Sequence, residues 1–253
     1  MLKESDLDRI IDERGRLVLG EIGRPGDEEA VAALGADMGI LYHTSYYSVP
    51  WAAGLLPFSN PNETIRQMAM TLLLREPVLP IAAAVCGTEP FRLFDDYLRD
   101  LREAGVGWIQ NFPTVGLIDG HFRSSLEEIR YSYRKECSLM QKSLAEGLAC
   151  LPLAFNLPEG LQMAETGAKK LILHPGARFM DAPPEAELFL RIAELARAAR
   201  EIRKAYPGCR VLLDVSDMDR LSLMEEAAEA GGGGFSGLCC HVTPSRTRGE
   251  AVR

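Results

Sequence analysis

The stretch from Gly107 to Arg123, GWIQNFPTVGLIDGHFR, opens as a buried strand and cannot finish as one. Trp108 and Ile109 are apolar strand formers, whereas Pro113, Gly116 and Gly120 punctuate the residues beyond Asn111, so the pattern is a strand and then a long loop. The loop carries Asn111, Thr114, Asp119, His121 and Arg123, and the spacing predicts a capped helix directly after it at Ser124–Ser125. Ser125 and Glu128 stand at a capping-box distance, and Leu126, Ile129, Tyr133, Cys137, Met140 and Leu144 follow at three- and four-residue steps along one face. One strand-loop-helix unit implies others.

Short apolar runs recur on both sides of it: Leu17–Gly20, Met38–His43, Val78–Cys86, Val106–Asn111, Leu148–Phe155, Lys170–His174, Arg210–Asp214 and Gly234–His241. Helical patterns lie between them. Pro183–Pro184 can open one, with Leu188, Ile192, Leu195, Ala199 and Ile202 on its sheet-facing side before Pro207–Gly208 ends it. Ser5 can cap a short helix over residues 5–14, with Leu7, Ile10 and Ile11 on one face, suited to covering the barrel bottom or a neighbour. Near-continuous apolar strands alternating with helices mean a parallel sheet, and eight repeats in 253 residues favour an α/β fold closed as a (β/α)8 TIM barrel, a single domain over 1–253. The eighth helix reads as truncated or absent, since about a dozen residues follow His241. An uncovered flank of that kind predicts a homo-oligomer.

Hydrophobic content of 47% with 25% charged residues supplies ample core for a soluble protein. A net charge of -8 argues against nucleic acid as a partner, because phosphate backbones demand a basic surface. The six cysteines form no CxxC pair, so neither a disulfide framework nor a zinc ribbon is indicated. The first residues, MLKESDLDRI, lack an apolar signal core, and no run reaches the ~18 apolar residues of a membrane span. The expectation is a cytoplasmic, reduced protein.

In such barrels the chemistry sits at the carboxyl ends of the strands. His43, His174 and His241 end the second, sixth and eighth predicted strands, Cys86, Asn111 and Asp214 end the third, fourth and seventh, and Glu21 follows the first. A single histidine at a strand end is more often a hydrogen-bonded structural residue. Here all four histidines, His121 included, fall on that one end. His43, His174, His241 and Asp214 could ligate a divalent metal, although no sequence spacing marks such a site. Cys86 could be a nucleophile, but a strand-end cysteine is more often simply buried, and Cys239–Cys240 reads first as core. The Gly231–Gly234 run precedes the last strand and so belongs on the opposite face. Anion binding is better placed after that strand, at His241, Thr243, Ser245 and Arg246. The long aromatic loop from Thr44 to Ser59 suits a lid or a contact surface.

Three longer motifs, AGLLPFSNPNE at 53–63, CGTEPFR at 86–92 and QNFPTVGLIDGHFRSSLEE at 110–128, resemble the phosphoenolpyruvate hydrolase-like family of TIM-barrel enzymes. The resemblance implies a relation to the phosphoenolpyruvate mutase and isocitrate lyase group, which cleaves or rearranges C–C and C–P bonds of small 2-oxo acids, usually with Mg²⁺. The chain departs from the family pattern at EIGRPG (21–26) after the first strand and at DVSDM (214–218) after the seventh. On this footing the chain is expected to be a lyase or hydrolase. His174, Asp214, Asn111, His43 and Cys86 are its catalytic candidates. Arg92, Thr114, Arg123, His241, Thr243 and Ser245 would hold a small anionic metabolite, and Asp214 with Glu21 would hold the metal. Such a metal is expected to be hard and weakly held rather than a tight zinc site, because the only close cysteines are adjacent in sequence and cannot both ligate easily. A barrel that binds a metabolite or a protein without catalysis is the alternative.

Overall fold

The computed structural model describes residues 3–24, 26–43, 60–179, 183–215 and 218–244. Its strands are β1 (Arg16–Ile22), β2 (Met38–Leu41), β3 (Ile81–Val85), β4 (Trp108–Asn111), β5 (Ala149–Cys150), β6 (Leu153–Ala154), β7 (Lys170–Leu173), β8 (Arg210–Val215) and β9 (Gly237–Val242). They form one parallel sheet in the order β5-β4-β3-β2-β1-β9-β8-β7-β6. The two ends of this ladder, β5 and β6, are separated only by Leu151 and Pro152. They are two halves of one barrel strand, and the sheet curls round into a TIM-barrel-like ring of eight strand positions.

The expected continuous strand over 148–155 is broken because Pro152 has no N–H to give a ladder. Chain pairing with β4 ends at the Leu151 N–H, which donates to the Ile109 carbonyl at 2.9 Å. Beyond it a side chain takes over. The Asn111 Oδ1 accepts from the Leu153 N–H at 2.7 Å, and its Nδ2 donates to the Leu153 carbonyl at 3.2 Å. The amide of Asn111 thus occupies the place of a strand residue across the seam.

Register fixes which side chains face inward. Leu19 pairs with Met38 and His241, Leu17 with Cys239, Asp214 with Cys239, and Gln110 with Ala84. Paired residues of neighbouring strands share a face and alternate along each strand, so Glu21, Gln110, Asp214, Cys239 and His241 project into the barrel. Asn111 and Cys240 project outward, toward the helices.

The helices are α1 (Glu4–Arg14), α2 (Asp27–Ala33), α3 (Pro61–Leu73), α4 (Phe94–Glu103), α5 (Gly120–Glu128), α6 (Tyr133–Ala145), α7 (Leu157–Glu165), α8 (Glu185–Ala205) and α9 (Leu221–Ala230). Helix α1 lies under the amino ends of β7 and β8. Its Asp8 pairs with Lys170 at 3.0 Å and with Arg210 at 2.8 Å, while Asp12 takes a second Arg210 hydrogen bond at 2.7 Å. Lys170 is only 1% exposed, its ammonium 5.9 Å from the Trp108 ring centroid, so the ion pair with α1 is what makes burying it tolerable. Helix α8 buries Leu188, Ile192, Leu195, Ala199 and Ile202 on one side, and each fully buried leucine or isoleucine contributes about 1.5–3 kcal/mol relative to exposure.

The single helix expected from Ser124–Ser125 to Leu144 is two helices, and the first begins earlier. Asp119 precedes α5, so His121 and Arg123 are helical rather than part of the loop. Arg130 then adopts a left-handed φ of 66°, and the Tyr131 N–H closes back on the Leu126 carbonyl at 2.8 Å, ending α5 before Ser132 precedes α6. Leu126, Tyr133, Cys137 and Met140 are buried on either side of this break while Ile129 is exposed at it, and the unbroken three- and four-residue spacing is why the sequence reads as continuous. At Gly231 a Cβ would stand 2.5 Å from the Ala193 carbonyl oxygen, so glycine is required where the end of α9 meets α8. Arg200 and Arg203 donate to the Gly231 and Gly234 carbonyls at 2.7 and 3.0 Å. The glycine run is a packing device. No helix among the described residues is long and apolar enough to cross a membrane.

Candidate active site at the carboxyl ends of the strands

Four neighbouring strands, β1, β9, β8 and β7, bring Glu21, His241, Asp214 and His174 together at the mouth of the barrel. Asp214 is the hub, 2% exposed at its position near the end of β8. Its Oδ2 lies 3.1 Å from His241 Nε2, and its Oδ1 lies 3.9 Å from His174 Nε2, too far for a hydrogen bond. That Oδ1 has no hydrogen-bond partner among the described residues. On the other side of the His241 ring, Nδ1 is 3.7 Å from Glu21 Oε1. Cys239, two residues before His241 on the same face of β9, is fully buried beside them.

The charges follow from this packing. Burial would raise the Asp214 pKa, but His174 and His241 outweigh it and hold the carboxyl below its ordinary value. For His241, burial would favour the neutral ring, yet Asp214 dominates, helped by hydrogen bonding to Cys239 and Glu21, and its pKa stands well above the usual histidine value. Burial lowers the His174 pKa, an effect only partly offset by Asp214. His174 Nδ1 accepts the Gly176 N–H at 2.8 Å, so a neutral ring must carry its proton on Nε2, the atom facing Asp214. The arrangement is a carboxylate flanked by an imidazolium on one side and a neutral imidazole N–H on the other.

Metal donors are present, though not as the expected pair of carboxylates. The His241 ring stands between Asp214 and Glu21, so an ion bound directly to both would have to displace it. Ligand atoms of Asp214, Cys239 and His241 instead lie within 4.8 Å of one another. Mg²⁺ calls for about six oxygens in octahedral array, and a thiol and an imidazole do not supply them. These residues therefore do not fit magnesium.

The remaining candidates fall elsewhere. His43 is buried after β2, both ring nitrogens lacking a hydrogen-bond partner among the described residues, and burial alone lowers its pKa to about 4. Its neighbour Tyr42 is the residue that feels His241, Glu21 and Asp214, and the Tyr42 hydroxyl bonds to Gln110 Oε1 inside the barrel. The Cys86 thiol, 3.5 Å from Thr88 Oγ1, is pushed up to about 11 by burial. Thr114 and Asn111 both donate to Glu136 Oε2 at 2.6 Å, on the helix side of the sheet. Arg92 is held by Glu89 at 3.2 Å and Glu63 at 3.5 Å, over the Tyr97 ring. Thr243 is exposed beyond β9. Ser245, Arg246 and the Thr44–Ser59 loop lie outside the described residues, as do the residues where an eighth helix would stand.

Arg123 is spent within the fold. It pairs with Glu127 at 2.8 Å and Glu159 at 3.1 Å, and donates to the Val115 carbonyl at 2.6 Å, so it ties the loop after β4 to α5 and α7. Arg123→Ala is expected to destabilise the chain by about 1–3 kcal/mol, the cost of leaving a largely buried acid and a carbonyl without their donor. A urea midpoint unchanged from the parent would show that the brace contributes nothing to stability.

Polar residues that the sequence reading did not place at the site are Cys239, Tyr42 and Gln110 at the mouth, and Glu136 and Glu159 behind it. A period of two on β9, Cys239-x-His241, was the available signal for the first. Gly116, part of the long motif, is explained by packing: a Cβ there would lie 2.2 Å from the Phe155 ring. Beside the mouth a groove of about 1100 Å³ is lined by residues that include Asp119, His121, Arg123, Glu159, Arg178 and Arg191. Its charges are mixed, and Asp214 and His241 are not part of its wall.

A family model described as phosphoenolpyruvate hydrolase-like matches residues 5–212. The ToMV resistance protein Tm-1(GCR237) of Solanum lycopersicum is 38% identical over 145 residues, 56% of this chain and 19% of that protein. The chain thus spans about a fifth of the length of that relative. Among solved structures, 2,3-dimethylmalate lyase, a PEP mutase/isocitrate lyase superfamily member, superposes with a TM-score of 0.56 at 11% identity, covering 93% of this chain and 80% of that one. Phosphoenolpyruvate phosphomutase from Streptomyces platensis subsp. rosaceus gives 0.57 at 12% identity, covering 93% and 79%. At these identities the likeness is one of fold.

Proposed function

The chain belongs to the phosphoenolpyruvate hydrolase-like family, and from that premise we propose that it is an enzyme, a lyase or hydrolase that breaks a C–C or C–P bond in a small 2-oxo acid. The observation that carries this is the buried Asp214 between His241 and His174, with one carboxylate oxygen left without a hydrogen-bond partner among the described residues. The fold neighbours named as a dimethylmalate lyase and a phosphoenolpyruvate phosphomutase support the substrate class by analogy of fold.

Cleavage next to a 2-oxo group leaves an electron pair that spreads onto the oxo oxygen, so the site must remove one proton and stabilise one developing oxyanion. Asp214 Oδ1 is the acceptor suited to taking a proton from a substrate hydroxyl or a water molecule. His174 Nε2–H can donate to the oxo oxygen as it gains charge, and burial keeps that ring neutral for the purpose. His241, held as an imidazolium, takes the anion-binding part first assigned to Arg92 and Arg123, both of which are paired within the fold. Low exposure strengthens each of these interactions, because little water screens them. Were a divalent cation bound at this mouth, it would supply Lewis-acid stabilisation of the enolate charge.

A panel of 2-oxo acids and their phosphonate analogues, screened for thermal stabilisation and then for products, tests the proposal. At least one member is expected both to raise the unfolding temperature and to be converted. Stabilisation by several members with turnover of none would make the chain a metabolite-binding barrel.

A further inference from the structure

Strand alternation places on one face two residues that sequence adjacency obscures. Cys239 and Cys240 are neighbours in the chain but point opposite ways, Cys240 into the apolar layer under α8 and α9, Cys239 into the barrel with His241. The parallel register then sets Asp214 directly beside Cys239. Three side chains of different donor type, a carboxylate, a thiol and an imidazole, present atoms within 4.8 Å of one another. Independently, Asp214 Oδ1, on a residue 2% exposed, has no hydrogen-bond partner among the described residues. A polar atom so placed costs free energy unless something else occupies it.

We propose that Asp214, Cys239 and His241 form a binding site for a borderline divalent cation of the zinc class, with Cys239 as the thiolate ligand that excludes magnesium. With bonds of about 2.0–2.3 Å, tetrahedral ligands stand roughly 3.3–3.8 Å apart, so the observed separations need only small side-chain rotations to close on an ion. Three protein ligands and one open position is the coordination that leaves room for water or a substrate oxygen. The ring of His241 is oriented from behind by Glu21 at 3.7 Å, the kind of outer support that ligating histidines require. The site coincides with the one assigned to catalysis above and rests on that reading only for the ion's role: an entering cation takes the place of the proton on His241, so the metal-bound site and the imidazolium form are alternative states. Uptake is therefore measured without turnover, so that either can fail alone.

The test uses the full chain, stripped with a chelator and titrated with Co²⁺ under reducing conditions. One Co²⁺ per chain is expected, with a near-ultraviolet thiolate-to-cobalt charge-transfer band that stoichiometric Zn²⁺ abolishes by displacement. Cys239→Ser should remove the band and weaken Zn²⁺ binding by at least about tenfold, and His241→Gln should weaken it similarly. Cys240→Ser, on the opposite face, should leave band and affinity unchanged. Failure to take up Co²⁺ at micromolar concentration, or a band that survives Cys239→Ser, overturns the proposal. Should Cys239→Ser not fold, titration of the unaltered chain with Cys240→Ser as control still decides, because absence of a thiolate band in the former, or its loss in the latter, rejects Cys239 as a ligand.

Discussion

Asp214→Asn is expected to cost about 10²–10⁴-fold in turnover of whatever substrate the screen identifies, the range lost when a positioned acid or base is removed. It should also return the His241 pKa downward. The two effects share one cause. In the parent chain the Asp214 carboxylate outweighs the burial that would otherwise keep the ring neutral, and hydrogen bonds to Cys239 and Glu21 add to it. Asparagine preserves the shape of the side chain and deletes its charge, so burial becomes the larger influence on His241. The folded pair is also a stability device with a defined window. Asp214, its pKa lowered, contributes stability that is lost as pH falls through that value, and His241, its pKa raised, contributes stability that is lost as pH rises through its own. NMR titration of the His241 ring in parent and variant, alongside kinetics, checks both. A ring that stays protonated to the same pH in Asp214→Asn would show that the carboxylate is not what charges it.

The second large effect concerns Glu136, which belongs to no catalytic group and is fully buried on α6. Its carboxyl accepts from Asn111 Nδ2 and Thr114 Oγ1 at 2.6 Å and from the Val115 N–H at 2.8 Å. Glu136→Ala strands three buried donors, each costing about 1–3 kcal/mol, so a loss on the order of 3–5 kcal/mol is expected once neighbours relax. Burial raises the acid to about 7 against the three hydrogen bonds, from an ordinary value of 4.5. Between those two values the folded chain holds a proton that the unfolded chain has released. Its contribution is therefore full below 4.5 and is lost as pH rises through about 7, a change on the order of 3 kcal/mol. Urea midpoints of the parent chain should fall across that interval, and Glu136→Gln should flatten the fall. A midpoint that rises with pH there, followed equally by the Gln variant, would place the titrating group elsewhere.

The barrel was legible because its signals are cumulative. Eight apolar runs with helical spacing between them leave few other folds, and the long motif at 110–128 named the family. The direction of individual side chains was not legible, for a physical reason. Strands of a parallel sheet are buried on both faces, so they lack the alternation that tells inward from outward. Asn111, last in its run, read as pointing over the mouth, whereas pairing of Gln110 with Ala84 makes Gln110 the inward residue and sends Asn111 toward α6. The same blindness hid Cys239 behind its neighbour. Glu136 and Glu159 were missed because a lone acid on the apolar side of a helix looks, in sequence, like one more surface charge. Only the structure shows the donors that make its burial tolerable.

The seam at Leu151–Pro152 has a consequence for assembly. A cylinder of strands has no free margin, and that is its protection against sticking to other sheets. Here the covalent chain through Leu151 and Pro152 closes the circle between β4 and β7, and where backbone pairing with β4 lapses one amide side chain, Asn111, clasps the backbone of Leu153 on both its polar groups. Releasing that clasp would strand the Leu153 N–H, while the Leu153 carbonyl keeps the Tyr133 hydroxyl and the ladders of β5 with β4 and of β6 with β7 hold the hoop shut. Asn111 thus leaves no unpaired strand margin at the one point where proline interrupts the ladder.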